Sequence, residues 1–277
     1  MRGRAYGGSR LVLAGIMAVV GLVGYCGSRQ KNPITGRVQA IALNPQQEVA
    51  LGLRTAPQMA GKFGGEERDP AIQARVKAVG EKLVRSSAAA GTPYKFQFTA
   101  LADARTINAF ALPGGPIFIT RGLLDRLTNE AQLAGVLGHE VGHVVARHSS
   151  EQIAKSQLAQ GIVGAVGVAT SDQQAAQAAA FVAQMAQMKY GRQDELQADA
   201  LGVDLMSSAG YDPRTLIEVM EILAKASGGS RQPEFFSTHP DPGNRAEKIR
   251  QQIAAKFPGG VPADLTQGRS IRMTSAR

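Results

Sequence analysis

The chain has 277 residues, 44% of them apolar and 19% charged, enough to enclose a core, so wholesale disorder is excluded. Its one cysteine, Cys26, excludes an internal disulfide framework and any cysteine-based zinc finger or iron–sulfur site, and 5% aromatic residues without tryptophan speak against stacking platforms for single-stranded nucleic acid. The formal net charge of +9 gathers at the ends: without Arg2, Arg4, Arg10, Arg269, Arg272 and Arg277, 25 basic residues face 22 acidic ones, too even a balance for a nucleic-acid-binding face.

Residues 1–27 read as a signal or lipid-anchor segment. Three arginines precede an apolar run from Leu11 to Tyr25, shorter than the roughly 20 residues of a membrane span and suited to the core of an export signal. Cys26 falls where a bacterial lipoprotein signal puts its lipid-accepting cysteine, although Tyr25 is bulkier than the small residue such a signal carries there. The alternative is an uncleaved anchor with an incidental thiol. Both readings place the body of the protein on the periplasmic side of a bacterial envelope. Gly27, where an aspartate would favour the inner membrane, points to the outer one.

Residues 28–44 read as a polar linker, 45–260 as the domain and 261–277 as a basic tail. Asn44-Pro45 with Gln47 predicts a helix start, and Asp69-Pro70 predicts another with Ile72, Val76, Val79 and Leu83 on one stripe. Tyr94, Phe96 and Phe98 alternate with polar residues as in a strand. Residues 107–112 and 116–120 flank Pro113-Gly114-Gly115-Pro116 and read as two extended segments joined by a turn. Beyond residue 122 helical patterns dominate. Asp212-Pro213 and Asp241-Pro242 predict two more helix starts, and Gly210 a helix stop. The fold class is therefore α+β, mainly helical with a small antiparallel or mixed sheet. The glycine- and alanine-rich stretches 161–168 and 173–187 suit either a packed helical pair or a mobile lid.

The chemistry gathers at His139-Glu140-Val141-Gly142-His143, in a helix predicted to start at Asn129 with Gln132 as its capping-box partner. Four-residue spacing puts both imidazoles on one helical face, where they can hold one zinc ion, and Glu140 beside them can take a proton from a water that zinc has acidified. Gly135, Gly138 and Gly142 in this helix imply close approach by a neighbouring backbone. A catalytic site needs a third ligand, and Glu151, Asp172, Asp194, Glu195 and Asp199 are all candidates by position. Glu195 and Asp199 stand out because they share one helical face, so that one can bind metal while the other steadies an imidazole. His148 lies off the ligand face and reads as a structural residue at a helix end. Tyr190 could donate to an oxyanion, though its spacing does not demand it.

The sequence resembles the HtpX/CAAX-prenyl-endopeptidase-type zinc metallopeptidases, gluzincins whose metal is held by two histidines and a glutamate, and most of all an exported, lipoprotein-like branch. The matching stretches are Asn32–Arg37, Asn108–Gly115, Thr120–Leu124, His139–His148, Glu195–Asp199, and Ser237–Pro240 with Arg245. The resemblance implies a zincin-like domain with one zinc on His139, His143 and Glu195, and Asp199 steadying a histidine. It implies His239 stabilising the oxyanion or blocking the metal at rest, Arg245 contacting the substrate or the tetrahedral intermediate, and Asn108, Ala109 and Phe110 on a cleft-edge strand that pairs with an extended peptide. The implied activity is endopeptidase cleavage of unfolded or misassembled envelope proteins. A rival expectation is a chaperone-like binding module with a structural zinc, against which the presence of Glu140 speaks.

Overall fold

The computed structural model describes residue 19 and residues 22–163, 190–227, 233–240 and 243–271, with the backbone alone at 159–163. The readings on Asp241-Pro242, on most of the anchor segment and on all but the first residues of 161–187 fall outside them. No helix of the described residues is long and apolar enough to cross a membrane. Cys26 is exposed.

Two predicted helix starts hold in detail. Helix α1 (Pro45–Lys62) begins with reciprocal bonds between Asn44 and Gln47, each backbone N–H donating to the other's side-chain oxygen at 2.9 Å. Helix α2 (Pro70–Arg85) is capped by Asp69, and its stripe of Ile72, Val76, Val79 and Leu83 is buried. That stripe packs on a three-stranded sheet of β3 (Gln97–Leu101), β4 (Ala109–Ala111) and β5 (Pro116–Thr120), in the order β3-β5-β4. The β3–β5 pair is parallel and the β4–β5 pair antiparallel, so the sheet is mixed. The strand expected from Tyr94 begins only at Gln97. Residues 95 and 97 donate instead to the carbonyls of Gly114 and Gly115, in the turn that joins β4 to β5.

A short helix α3 (Arg121–Leu124) leads to α4 (Glu130–Val145), which carries the two histidines and is buried along its whole length. Helices α5 (His148–Val163), α6 (Arg192–Ser208), α7 (Thr215–Ser227), the single turn α8 (Phe235–Thr238) and α9 (Arg245–Lys256) follow. Gly210, at φ +74°, ends the passage out of α6 as expected. The glycines of α4 do what was expected of them: a Cβ on Gly142 would lie 3.0 Å from the carbonyl oxygen of Ala198, and one on Gly138 3.5 Å from that of Gly202. Helices α4 and α6 thus touch backbone to backbone beside the histidines.

Both ends of α4 are held by segments that sequence reading had set outside the domain. The linker reading of 28–44 is corrected: β1 (Arg29–Lys31) and β2 (Val38–Ala40) form an antiparallel hairpin. From it Asn32 Nδ2 donates to Val145 O at 2.9 Å and Gln39 Nε2 to Ala146 O at 2.8 Å, satisfying carbonyls that a helix end leaves open. The tail reading is corrected in part as well. Glu130 N–H donates to Arg269 O and Ala131 N–H to Gln267 O, and Ile271 is buried, so the domain runs to residue 271. At this end Asn129 accepts from Gln132 N–H at 2.9 Å, but the return arm of the capping box is absent. Gln132 Oε1 accepts from Thr128 N–H at 2.7 Å instead.

Candidate metal centre

His139 and His143 project from one face of α4 toward Glu195 in the first turn of α6, and His239, at the end of α8, closes the group. The donor atoms form a compact figure. His139 Nε2 lies 3.0 Å from His143 Nε2, 3.4 Å from Glu195 Oε2 and 3.3 Å from His239 Nδ1. Glu195 Oε1 lies 3.4 Å from His143 Nε2 and 3.1 Å from His239 Nδ1. A tetrahedral zinc with bonds of about 2.0–2.1 Å has ligand–ligand edges of about 3.3 Å. All four residues are buried, and lone pairs converging at this spacing out of water repel each other unless a proton or a cation sits among them. The donor set of two imidazoles, one carboxylate and a third imidazole suits zinc.

Each ligand is held from behind. Asp199, one turn beyond Glu195 on α6, stands 2.9 Å from His139 Nδ1. His143 packs face to face with the Tyr190 ring, centroids 4.0 Å apart, and its Nδ1 lies 2.9 Å from Nδ1 of His148. The Tyr190 hydroxyl meets Ser149 at 2.9 Å, which fits a wall of the site better than an oxyanion donor. His239 stacks on Phe235 at 4.5 Å. Burial raises the Glu195 carboxyl, but His239, His139 and His143 outweigh it and hold the group well below the usual carboxylate range. Burial likewise raises Asp199, and Arg245 more than offsets it.

Glu140 is fully buried, neither of its oxygens has a hydrogen-bond partner among the described residues, and His239 Nε2 stands 3.6 Å from Oε1. Burial raises its carboxyl above the usual range. A desolvated carboxylate with an open hydrogen-bonding capacity beside a metal site is a ready proton acceptor.

Arg245 is buried against the carboxylates, with Nη1 3.1 Å from Glu195 Oε2 and two bonds to Asp199. Two buried anions need a cation close by, and Arg245 supplies it. Ala109 and Phe110 lie in β4 at the edge of the sheet, and Asn108 immediately precedes it. Asn108 O accepts from Thr120 N–H and Leu112 N–H donates to Pro116 O, so alternation turns the main-chain groups of Ala109 and Ala111 to the far side of β4. That side has no partner strand among the described residues.

Histidines four apart on a helix, a carboxylate from a second helix and a buried glutamate beside them define a metallopeptidase of the gluzincin kind. Residues 70–253 match the model of Peptidase family M48, and the chain belongs to that family. It is 30% identical over 223 residues to Metalloprotease YcaL of Escherichia coli K12, covering 77% of this chain and 85% of that one. It is 28% identical over 256 residues to the Beta-barrel assembly-enhancing protease of the same organism, and 39% identical over 147 residues to Mitochondrial metalloendopeptidase OMA1 of Arabidopsis thaliana. These alignments cover 87% and 52% of this chain but 52% and 29% of those proteins, so the chain spans about half the length of the one and under a third of the other.

Proposed function

We propose that the chain is a zinc-dependent endopeptidase of the bacterial cell envelope that cleaves extended segments of unfolded or misassembled envelope proteins. The observation that carries this is the near-tetrahedral spacing of His139, His143 and Glu195 beside a buried Glu140 whose oxygens have no hydrogen-bond partner among the described residues. Zinc, when bound, polarises the scissile carbonyl and makes a water acidic enough to give up its proton near neutral pH. Glu140 takes that proton and returns it to the leaving amine. The far side of β4 aligns an extended chain by main-chain hydrogen bonds, which suits a protease of broad sequence tolerance. His239 would offer a fourth donor to the metal at rest, and turned aside it would be able to donate to negative charge developing on the substrate oxygen.

The envelope location draws on the N-terminal apolar run and on the name of one bacterial relative, the Beta-barrel assembly-enhancing protease. Cys26 as the lipid attachment point would fix the enzyme to the membrane facing its substrates. The test is cleavage of casein by the zinc-loaded chain, lost on chelation and restored by added zinc. A chain that binds zinc and casein without cleaving it is a binding module instead. Mass spectrometry of the mature N-terminus decides between a lipidated Cys26 and an uncleaved anchor.

A further inference from the structure

We propose that His148 is a positioning residue for the metal centre, fixing the orientation and tautomer of His143, with Gln197 as its own anchor. The proposal rests on the zinc reading of His139, His143 and Glu195, and assigns a role to two residues outside that set.

His143 turns Nε2 toward His139 and Glu195, which leaves Nδ1 on the far side of its ring, 2.9 Å from His148 Nδ1. A neutral imidazole has one N–H and one lone pair, so a ring that gives its Nε2 lone pair to a cation carries its proton on Nδ1. That proton needs an acceptor, and His148 Nδ1 is the atom in reach. His148 then carries its own proton on Nε2, which lies 2.9 Å from Gln197 Oε1, an atom that can only accept. The two bonds therefore admit one proton arrangement, running from the metal face of His143 through His148 to α6. Asp194 is the other group near Nε2, at 3.8 Å, and its carboxylate is already engaged by Arg37 at 2.9 Å and the Gly191 N–H at 3.1 Å.

The backbone is shaped for this contact. Arg147 has φ +60°, the one positive φ outside glycine among the described residues, and it reverses the chain so that α5 opens with His148 beneath His143. Arg147 is held there by Glu48, Gln30 and the Leu43 carbonyl. A liganding histidine commonly donates its second N–H to a carboxylate, as His139 does to Asp199, and a neutral second imidazole does the same without adding charge.

The test measures zinc affinity by competition with a chelator, and kcat and KM on casein, for wild type, His148→Leu, His148→Asn and Gln197→Leu. Asparagine carries Oδ1 where histidine carries Nδ1 and so keeps the acceptor. His148→Leu is expected to bind zinc about ten- to a hundredfold more weakly. His148→Asn should stay near wild type and Gln197→Leu fall between, with kcat following zinc occupancy and KM unchanged. Wild-type affinity in His148→Leu overturns the proposal, as do equal losses in the leucine and asparagine variants. If His148→Leu fails to fold, Gln197→Leu decides alone: a zinc affinity equal to wild type overturns it. Failure of the wild type to bind zinc would overturn the metal reading itself, a result distinct from any of these.

Discussion

Arg245 grips Asp199 through two bonds, Nε to Oδ2 at 2.8 Å and Nη2 to Oδ1 at 2.7 Å, with all of the atoms buried. The same guanidinium reaches Glu195, so one cation lies between the carboxylate facing the metal position and the one that steadies His139, and the histidines beside Glu195 supply the rest of what holds it ionised. The electrostatics of the centre are thus built in before any metal arrives.

Arg245→Ala should be strongly destabilising, because it strands the buried Asp199 carboxylate and leaves Glu195 to the histidines alone. Breaking a buried pair from one side costs about 3–5 kcal/mol. Urea unfolding of the metal-free protein measures this, and a loss below about 1 kcal/mol would mean that the carboxylates have another counter-ion. Arg245→Lys, which keeps the charge but not the fork, should recover only part of the loss.

Glu195 and Asp199 share a helical face but should fail differently. Glu195→Ala removes a donor atom and should abolish stoichiometric zinc, whereas Asp199→Ala should weaken affinity about ten- to a hundredfold. Zinc titration against a chelator distinguishes them, and full occupancy in Glu195→Ala would point to a different third ligand.

Gly142→Ala tests the contact between α4 and α6. The added Cβ would meet Ala198 O at 3.0 Å and Leu201 Cβ at 3.3 Å, forcing α6 outward and carrying Glu195 and Asp199 with it. Overpacking of this kind costs about 1–3 kcal/mol, and zinc affinity should fall with it. Gly61→Ala in α1 meets nothing within 4 Å and should instead be neutral or stabilising by roughly 0.5–1 kcal/mol. Thermal unfolding of both variants checks the contrast.

Acid sensitivity follows from Asp194. Burial raises its carboxyl, but the neighbouring His148 and the Arg37 guanidinium more than offset this and hold it below its ordinary value of 3.8. A folded pKa below the unfolded one gives stability that is complete above the unfolded value and is lost as pH falls through the folded one. Arg37→Ala removes part of that depression, so the acid unfolding midpoint of the metal-free protein should move to higher pH. An unchanged midpoint would show that the Arg37 contact adds nothing.

Local signals were the legible ones. His139 and His143 could be paired from sequence because a helix converts four-residue spacing into proximity, and the caps at Asn44 and Asp69 act over two or three residues. The turn residues Pro113-Gly114-Gly115-Pro116 between two extended segments gave the β4–β5 hairpin for the same reason. What remained hidden depends on chain reversals and long-range docking. His148 reads as off the ligand face if the helix continues, and only the positive φ at Arg147 brings it back under His143. Residues 28–44 read as a linker because their contacts with α4 come from Asn32 and Gln39, polar side chains whose burial no hydrophobic period announces. Arg245 was placed at the site through the family resemblance, but its orientation toward Asp199 rather than the cleft depends on how α9 packs against α6, which spacing does not encode.

The most direct measurement is a paired assay of zinc content and casein cleavage on wild type and Glu140→Gln. One zinc per chain in both proteins, with cleavage in the variant reduced about 10²-fold or more, is the predicted result. Equal cleavage by the two proteins would contradict the assignment of Glu140 as the proton acceptor and, with it, the account of how this centre works.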